Sequence, residues 1–259
     1  MSPTILSHIN DQIIIRENRE TTSFVEDSEV VGRDIDKSKI VNMLLMTIGS
    51  SSSSLSNYNK QEENEKLSVI PIVGMGGLGK TTLAQSVYNY ESVKKHFELR
   101  IWVYVSVDFD VKRLLREIIL SITGSKCDDA SSMDVMVRRV HESLTGKKFL
   151  LVLDDLWNVN HEKWEKLKSL LTIGDQGSKI IVTTRSNVVA SIVRGVIPQY
   201  NLQQLSDDEC WFIIRQRAFA PGGAIETPNL VAIGKEIVKK CGGLPCYYVR
   251  ILYNRSTNK

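Results

Sequence analysis

Gly74-Met75-Gly76-Gly77-Leu78-Gly79-Lys80-Thr81-Thr82 is the stretch on which the reading of this chain turns. It follows an apolar run, Leu67–Val73, and precedes a helical stretch, Thr82–Tyr90. Gly74, Gly79, Lys80 and Thr81 satisfy the phosphate-loop pattern G-x-x-x-x-G-K-[ST]. The residue types fit the chemistry. Phosphate oxygens reach backbone N–H groups only where no Cβ intrudes, which favours glycine. The helix that follows adds the positive end of its dipole. Lys80 can place an ammonium on the β- and γ-phosphates, and the Thr81 hydroxyl can serve Mg²⁺. The whole loop, Gly74, Met75, Gly76, Gly77, Leu78 and Gly79 with Lys80, Thr81 and Thr82, is therefore a candidate nucleotide cradle.

Working outward, apolar runs alternate with helical periodicities. Leu67–Val73 reads as a parallel strand buried on both faces, although Pro71 removes a ladder donor. Leu99–Val105 alternates apolar and polar residues and reads as a second strand. Phe149–Leu153, Lys179–Thr184 and the short Gln199–Leu202 complete five. Asp110 is placed to cap a helix bearing Val111, Leu114, Leu115, Ile118, Ile119 and Ile122, and Met133, Met136, Val137, Val140 and Leu144 form another helical face. Asp34 or Asp36 can cap an earlier helix. Strands separated by helices argue an α/β fold, a doubly wound parallel sheet of P-loop NTPase type. After Leu205 the pattern changes to two helices, Ser206–Phe219 and Pro228–Lys240, with a capping box at Ser206 and Glu209. The expected organisation is a leader or linker over 1–28, a nucleotide-binding domain over 29–203 with a flexible insert at 49–66, and a truncated helical subdomain over 204–259.

Bulk properties narrow the class. A chain of 259 residues with 42% hydrophobic and 24% charged residues is neither disordered nor fibrous. A net charge of +3 is too mild to imply a nucleic-acid partner, and no dense basic stripe is present. No apolar run is long enough for a membrane span, and Met1–Asn10 lacks a signal-peptide profile. The four cysteines show no metal-ligand spacing and read as reduced thiols. A cytoplasmic protein is the expectation.

A phosphate loop is shared by kinases, transporters, GTPases and ATPases, and a second motif is needed to choose among them. Phe149–Leu153 ends in Asp154-Asp155, which places two carboxylates at the C-terminal edge of the sheet, where ligands bind in open α/β folds. Asp154 can hold Mg²⁺, directly or through water. Asp155 can orient or deprotonate an attacking water. Arg185 closes the fourth strand, either as a cation for the γ-phosphate or as a surface arginine. No transporter-type signature loop and no kinase-type lid segment is visible.

These motifs, in this order, resemble the NB-ARC domain of plant nucleotide-binding leucine-rich-repeat disease-resistance proteins. Val30-Val31-Gly32-Arg33 is similar to the opening motif, with Asp34 where the family usually has Glu. Leu151–Trp157 resembles the acidic strand, its Trp157 typical of the coiled-coil class. Gly177–Arg185 is similar to the sensor block, Leu202–Phe219 with Cys210-Trp211 to the next, and Cys241-Gly242-Gly243-Leu244-Pro245 to the start of the Gly-Leu-Pro-Leu block. The resemblance runs from about Val30 to Pro245.

The resemblance implies more than the residues do. It places the sensor strand between the acidic and phosphate-loop strands, with Arg185 between Lys80 and Asp154. Val31 and Arg33 would lie by the adenine, and Pro245 near the nucleotide. It implies an ADP/ATP switch in plant defence with slow Mg²⁺-dependent ATP hydrolysis. The alternative is a non-hydrolysing module that pairs with full-length receptors or other NB-ARC proteins. The family's winged-helix subdomain and leucine-rich repeats would lie beyond Lys259. Cys246–Leu252 departs from the family pattern and favours a strand, with helical spacing also present.

Overall fold

The computed structural model describes residues 20–46, 66–105, 108–128, 131–219 and 223–244. Pro245, the tail Cys246–Leu252 and nearly all of the insert 49–66 lie outside the described residues. Helix α1 (Asp34–Leu45) is followed by strand β1 (Leu67–Val73), then α2 (Lys80–Tyr88), α3 (Glu91–His96) and β2 (Leu99–Tyr104). Helices α4 (Val111–Thr123) and α5 (Met133–Leu144) lead to β3 (Phe149–Leu156). Then come α6 (His161–Leu171), β4 (Ser178–Thr184), α7 (Asn187–Val193), β5 (Tyr200–Asn201), α8 (Asp207–Ala218) and α9 (Pro228–Cys241).

The strands form one sheet in the order β2-β3-β4-β1-β5, with every described pairing parallel. Strands β1, β3 and β4 are buried along almost their whole length, as their largely apolar runs require, and Ser68, Asp154, Ser178, Lys179, Thr183 and Thr184 are buried with them. Successive side chains point to opposite faces. Leu67, Val69, Leu151, Leu153, Ile180 and Val182 pack under α4, α5, α6 and α7. Ile70, Ile72, Leu150, Val152 and Ile181 pack under α1, α2 and α3. The sheet is thus wound on both faces.

Pro71 is accommodated without a lost ladder bond. The Gly74 amide donates to Thr184 on β4, whereas the Val73 carbonyl accepts from Leu202 on the β5 side. Backbone polar groups alternate along a strand, so Pro71 faces the same side as Val73. There β5 pairs only with Ile72 and Val73, and a proline needs no partner on that open stretch.

Helix ends follow the capping residues. The Asp110 carboxylate accepts from Arg113 N at 2.7 Å. Ser206 and Glu209 form the capping box of α8, whose Cys210 and Ile214 bury against Leu205, just before the helix, and against Val238 of α9. Neither Asp34 nor Asp36 caps α1. Arg33 holds that position and makes no side-chain cap bond, since a guanidinium has no acceptor; Asp34 and Asp36 lie inside the first turn, and Asp36 pairs with the Arg33 guanidinium at 2.9 Å. Helix α3 carries a single buried residue, Val93, and too little periodicity to be read from the sequence.

Candidate functional site: the phosphate loop and its acidic neighbour

The loop Gly74–Gly79 runs from the C-terminal end of β1 straight into α2 through one turn, where Leu78 N donates to Met75 O. Gly79 stands at the N-cap with φ 88°, a conformation that glycine adopts without strain. It has no side chain to cap the helix, so the first-turn N–H groups of Lys80–Thr82 are left for another acceptor, the arrangement an anion uses. Lys80 is 6% exposed and folds back over the loop, its Nζ donating to Gly74 O at 2.7 Å and Met75 O at 2.9 Å. An ammonium has three donors, so one remains for a ligand. Burial lowers the Lys80 pKa to about 8, Arg185 pushes in the same direction, and Asp155 and Asp154 oppose it. A phosphate at the loop would supply the negative charge that this buried cation lacks.

Asp154 closes the unbroken buried run Phe149–Asp154 of β3 and is fully inaccessible. Three hydroxyls donate to its carboxylate. Thr183 of β4 reaches Oδ1 at 2.5 Å, Thr81 of α2 lies 3.0 Å from both oxygens, and Thr21 reaches Oδ2 at 2.8 Å. Burial raises the Asp154 pKa and Asp155 adds to the rise, while the three hydroxyl donors oppose it by favouring the ionised form. Thr81 and Asp154 offer hard oxygen donors side by side. Mg²⁺ is commonly held by one or two such groups together with phosphate oxygens, so these residues fit the metal.

Asp155 is not simply the residue after a strand. It is the non-glycine residue with positive φ among the described residues, at 56°. The β3–β4 register shifts between Leu153 and Leu156, so the strand runs on through a bulge. The Asp155 amide donates to Thr183 Oγ1 at 2.8 Å. Bulges commonly re-aim side chains beside active sites. Its carboxylate lies 3.6 Å from Arg185 Nε.

Arg185 follows β4, the strand between β1 and β3. Its guanidinium stacks over the Trp157 ring at 4.6 Å and packs on the loop at Gly76, where an added Cβ would come within 2.6 Å of Nη1. It therefore stands beside both the loop and Asp155. Arg33, 5% exposed, donates to Leu78 O at 2.8 Å and so braces the loop from the α1 side. Val31 is half-buried beside it. The structure thus gathers Lys80, Thr81, Asp154, Asp155, Arg185 and Arg33 around one loop. Pro245 lies outside the described residues.

A family model described as the NB-ARC domain matches residues 10–222, most of the chain. The chain belongs to the NB-ARC family. NB-ARC relatives include disease resistance protein RGA2 of Solanum bulbocastanum, 43% identical over 240 residues. That match covers 92% of this chain and 23% of the relative. Disease resistance protein RPP13 of Arabidopsis thaliana is 34% identical over 236 residues, covering 89% and 26% respectively. This NB-ARC chain therefore spans about a quarter of the length of these relatives. Among solved structures, the Aeropyrum pernix ORC2 protein in its ADPNP–ADP complexes superposes with a TM-score of 0.55 at 16% identity. It covers 90% of this chain and 65% of that one, a likeness of fold. Among the described residues no helix is long and apolar enough to cross a membrane.

Three contributors to the NB-ARC site were not singled out by sequence reasoning. Thr183 reads as a strand former, because β-branched residues suit any buried strand. Trp102 reads as the polar-side residue of β2, yet its Nε1 lies 3.4 Å from Thr21 Oγ1. Thr21 lies in a stretch without periodicity. The available signal was a run of small hydroxyl residues, Thr21-Thr22-Ser23, before the first helix.

Proposed function

We propose that this NB-ARC chain binds ADP or ATP with Mg²⁺ at the Gly74–Thr82 loop and serves as the nucleotide switch of a plant disease-resistance protein. The observation that carries the reading is the Thr81 hydroxyl, 3.0 Å from both oxygens of the buried Asp154, on the same helical turn as Lys80. A phosphate-binding cation, a metal-binding hydroxyl and a metal-binding carboxylate converge there. Lys80 would neutralise phosphate charge, and Thr81 and Asp154 would hold the metal. When bound, Mg²⁺ would neutralise charge on the phosphate oxygens. Gly74, Met75, Gly76, Gly77, Leu78, Gly79 and Thr82 would form the cradle, with Val31 against the adenine and Arg33 bracing the loop edge. Pro245 would approach from the helical side.

Hydrolysis would rest on Asp155, which would orient the water, and on Arg185, which would meet the γ-phosphate. Slow turnover is supported by the pairing of these two groups at 3.6 Å, since the pair has to part before either acts on substrate. The same pairing supports the second reading, a module that binds nucleotide without hydrolysing it and pairs with full-length receptors. ATP favouring an active form and ADP a resting form would require the two nucleotides to bind the two states with different affinity. The plant-defence role is supported by the names of the relatives above.

Titration of the purified chain with ADP and ATP, in Mg²⁺ and in EDTA, tests the binding. Release of radiolabelled phosphate from ATP separates the two readings. Metal-dependent binding with slow release supports the switch, binding without release supports the module, and no binding overturns both.

A further inference from the structure

The segment preceding α1 is tied to the nucleotide site by bonds that the reading above does not use. Thr81, Gln85 and Asn89 fall at i, i+4 and i+8, one stripe along α2 and its C-cap. Thr21-Thr22-Ser23 is bound at the corresponding levels. Thr21 Oγ1 donates to Asp154 Oδ2 at 2.8 Å, beside Thr81. Gln85 Nε2 donates to Thr22 O at 2.5 Å, and Asn89 Nδ2 donates to Ser23 O at 2.6 Å. Trp102 Nε1, across on β2, approaches the Thr21 hydroxyl from the other side at 3.4 Å. The hydroxyl is thereby oriented: it accepts from the indole and donates to the carboxylate.

We propose that Thr21 is a positioning residue of the metal site, and that the Thr21–Ser23 strap couples the chain before α1 to Mg²⁺ loading. The inference rests on the nucleotide-binding reading of the same site. Its physical basis is the burial of Asp154. A carboxylate shut off from bulk solvent is held in one orientation by the donors around it. Thr183 and Thr81 come from the sheet and the loop helix. Thr21 is the donor that comes from a segment outside the sheet and its helices, so it is the donor whose presence depends on where that segment lies. Partners of this kind, which orient a metal ligand without touching the metal, are commonly worth a factor of 10 to 100 in metal affinity. Coupling is reciprocal: if the seated strap favours the metal, the bound metal favours the seated strap.

Two measurements test this, one on variants and one on the wild-type chain. Thr21→Val keeps the shape and removes the donor, whereas Thr21→Ser keeps the donor. ADP affinity is measured across a Mg²⁺ series and in EDTA, with melting curves alongside. The expected result is a rise of about 10-fold in the half-saturating Mg²⁺ concentration for Thr21→Val, with unchanged affinity in EDTA. Thr21→Ser should stay close to wild type. A Thr21→Val protein with wild-type Mg²⁺ dependence overturns the proposal. So does Thr21→Ser behaving like Thr21→Val, or an equal loss of affinity in EDTA, since either would mark a packing effect. In the wild-type chain, amide exchange over 22–24 should be slower with Mg²⁺–ADP than with ADP in EDTA, and equal exchange in the two conditions contradicts the coupling. A wild-type chain that binds no ADP overturns the nucleotide reading and this inference together. A chain that binds ADP but ignores Thr21 overturns this inference alone.

Discussion

The Thr183 hydroxyl donates to Asp154 Oδ1 at 2.5 Å while accepting the Asp155 amide at 2.8 Å. One side chain thus sets both members of the acidic pair. It fixes the carboxylate of the first and anchors the bulge that turns the second toward Arg185.

Thr183→Val should therefore disturb two things at once. The variant keeps the β-branched shape in a buried strand but leaves the Asp155 N–H and one carboxylate lone pair without a partner. Loss of a bond to a charged group costs about 1.5–3 kcal/mol, so thermal unfolding should begin several degrees lower. Mg²⁺-dependent nucleotide affinity should fall with it. A Thr183→Val protein that melts with the wild type would show that the hydroxyl is not needed to hold the pair.

Asp154 and Asp155 should separate in function because their surroundings differ. Asp155→Ala should retain ATP binding and slow hydrolysis by roughly 10²–10⁴-fold, the usual worth of a group that activates water. Asp154→Ala should weaken the Mg²⁺ dependence of binding. Equilibrium binding and single-turnover phosphate release on both variants make the comparison. Equal loss of ATP affinity in the two would contradict the division of roles.

His96 supplies a pH dependence remote from the site. Burial lowers its pKa below the ordinary 6.5, and Lys148 and Lys179 lower it further. Lys148 Nζ stands 3.3 Å from His96 Nε2, and Glu98 lies two residues on in the chain. The unfolded chain takes up a proton near pH 6.5, whereas the folded chain resists until the pH is lower. Stability should accordingly fall as the pH drops through 6.5 toward the folded value. Melting temperatures from pH 8 to pH 5 should decline less steeply in His96→Gln than in wild type. Parallel curves would remove His96 from the account.

The sheet was legible in the sequence because parallel strands covered on both faces are mostly apolar or β-branched. Leu67–Val73, Phe149–Leu153 and Lys179–Thr184 leave few other solutions. The loop was legible because phosphate binding needs glycine, lysine and threonine at fixed spacing. Asp110, Ser206 and Glu209 carried their helix starts in their own side chains. What escaped was set by contacts distant in the chain. Asp36 looked like a helix cap, but Arg33 claims it. The bulge at Asp155 arises from the pairing of β3 with β4, to which no local residue pattern points. Thr21 meets Asp154 across 133 positions of sequence.

If Lys80 and its loop hold an adenine nucleotide, Lys80→Ala should lose it. The side chain bonds to Gly74 and Met75 carbonyls within its own loop and lies at the edge of the sheet, so its loss should leave the core intact. Calorimetric titration with ADP in Mg²⁺ should give saturable binding for the wild type and none for Lys80→Ala, with the two proteins melting within a few degrees of each other. Undiminished ADP affinity in Lys80→Ala would contradict the account.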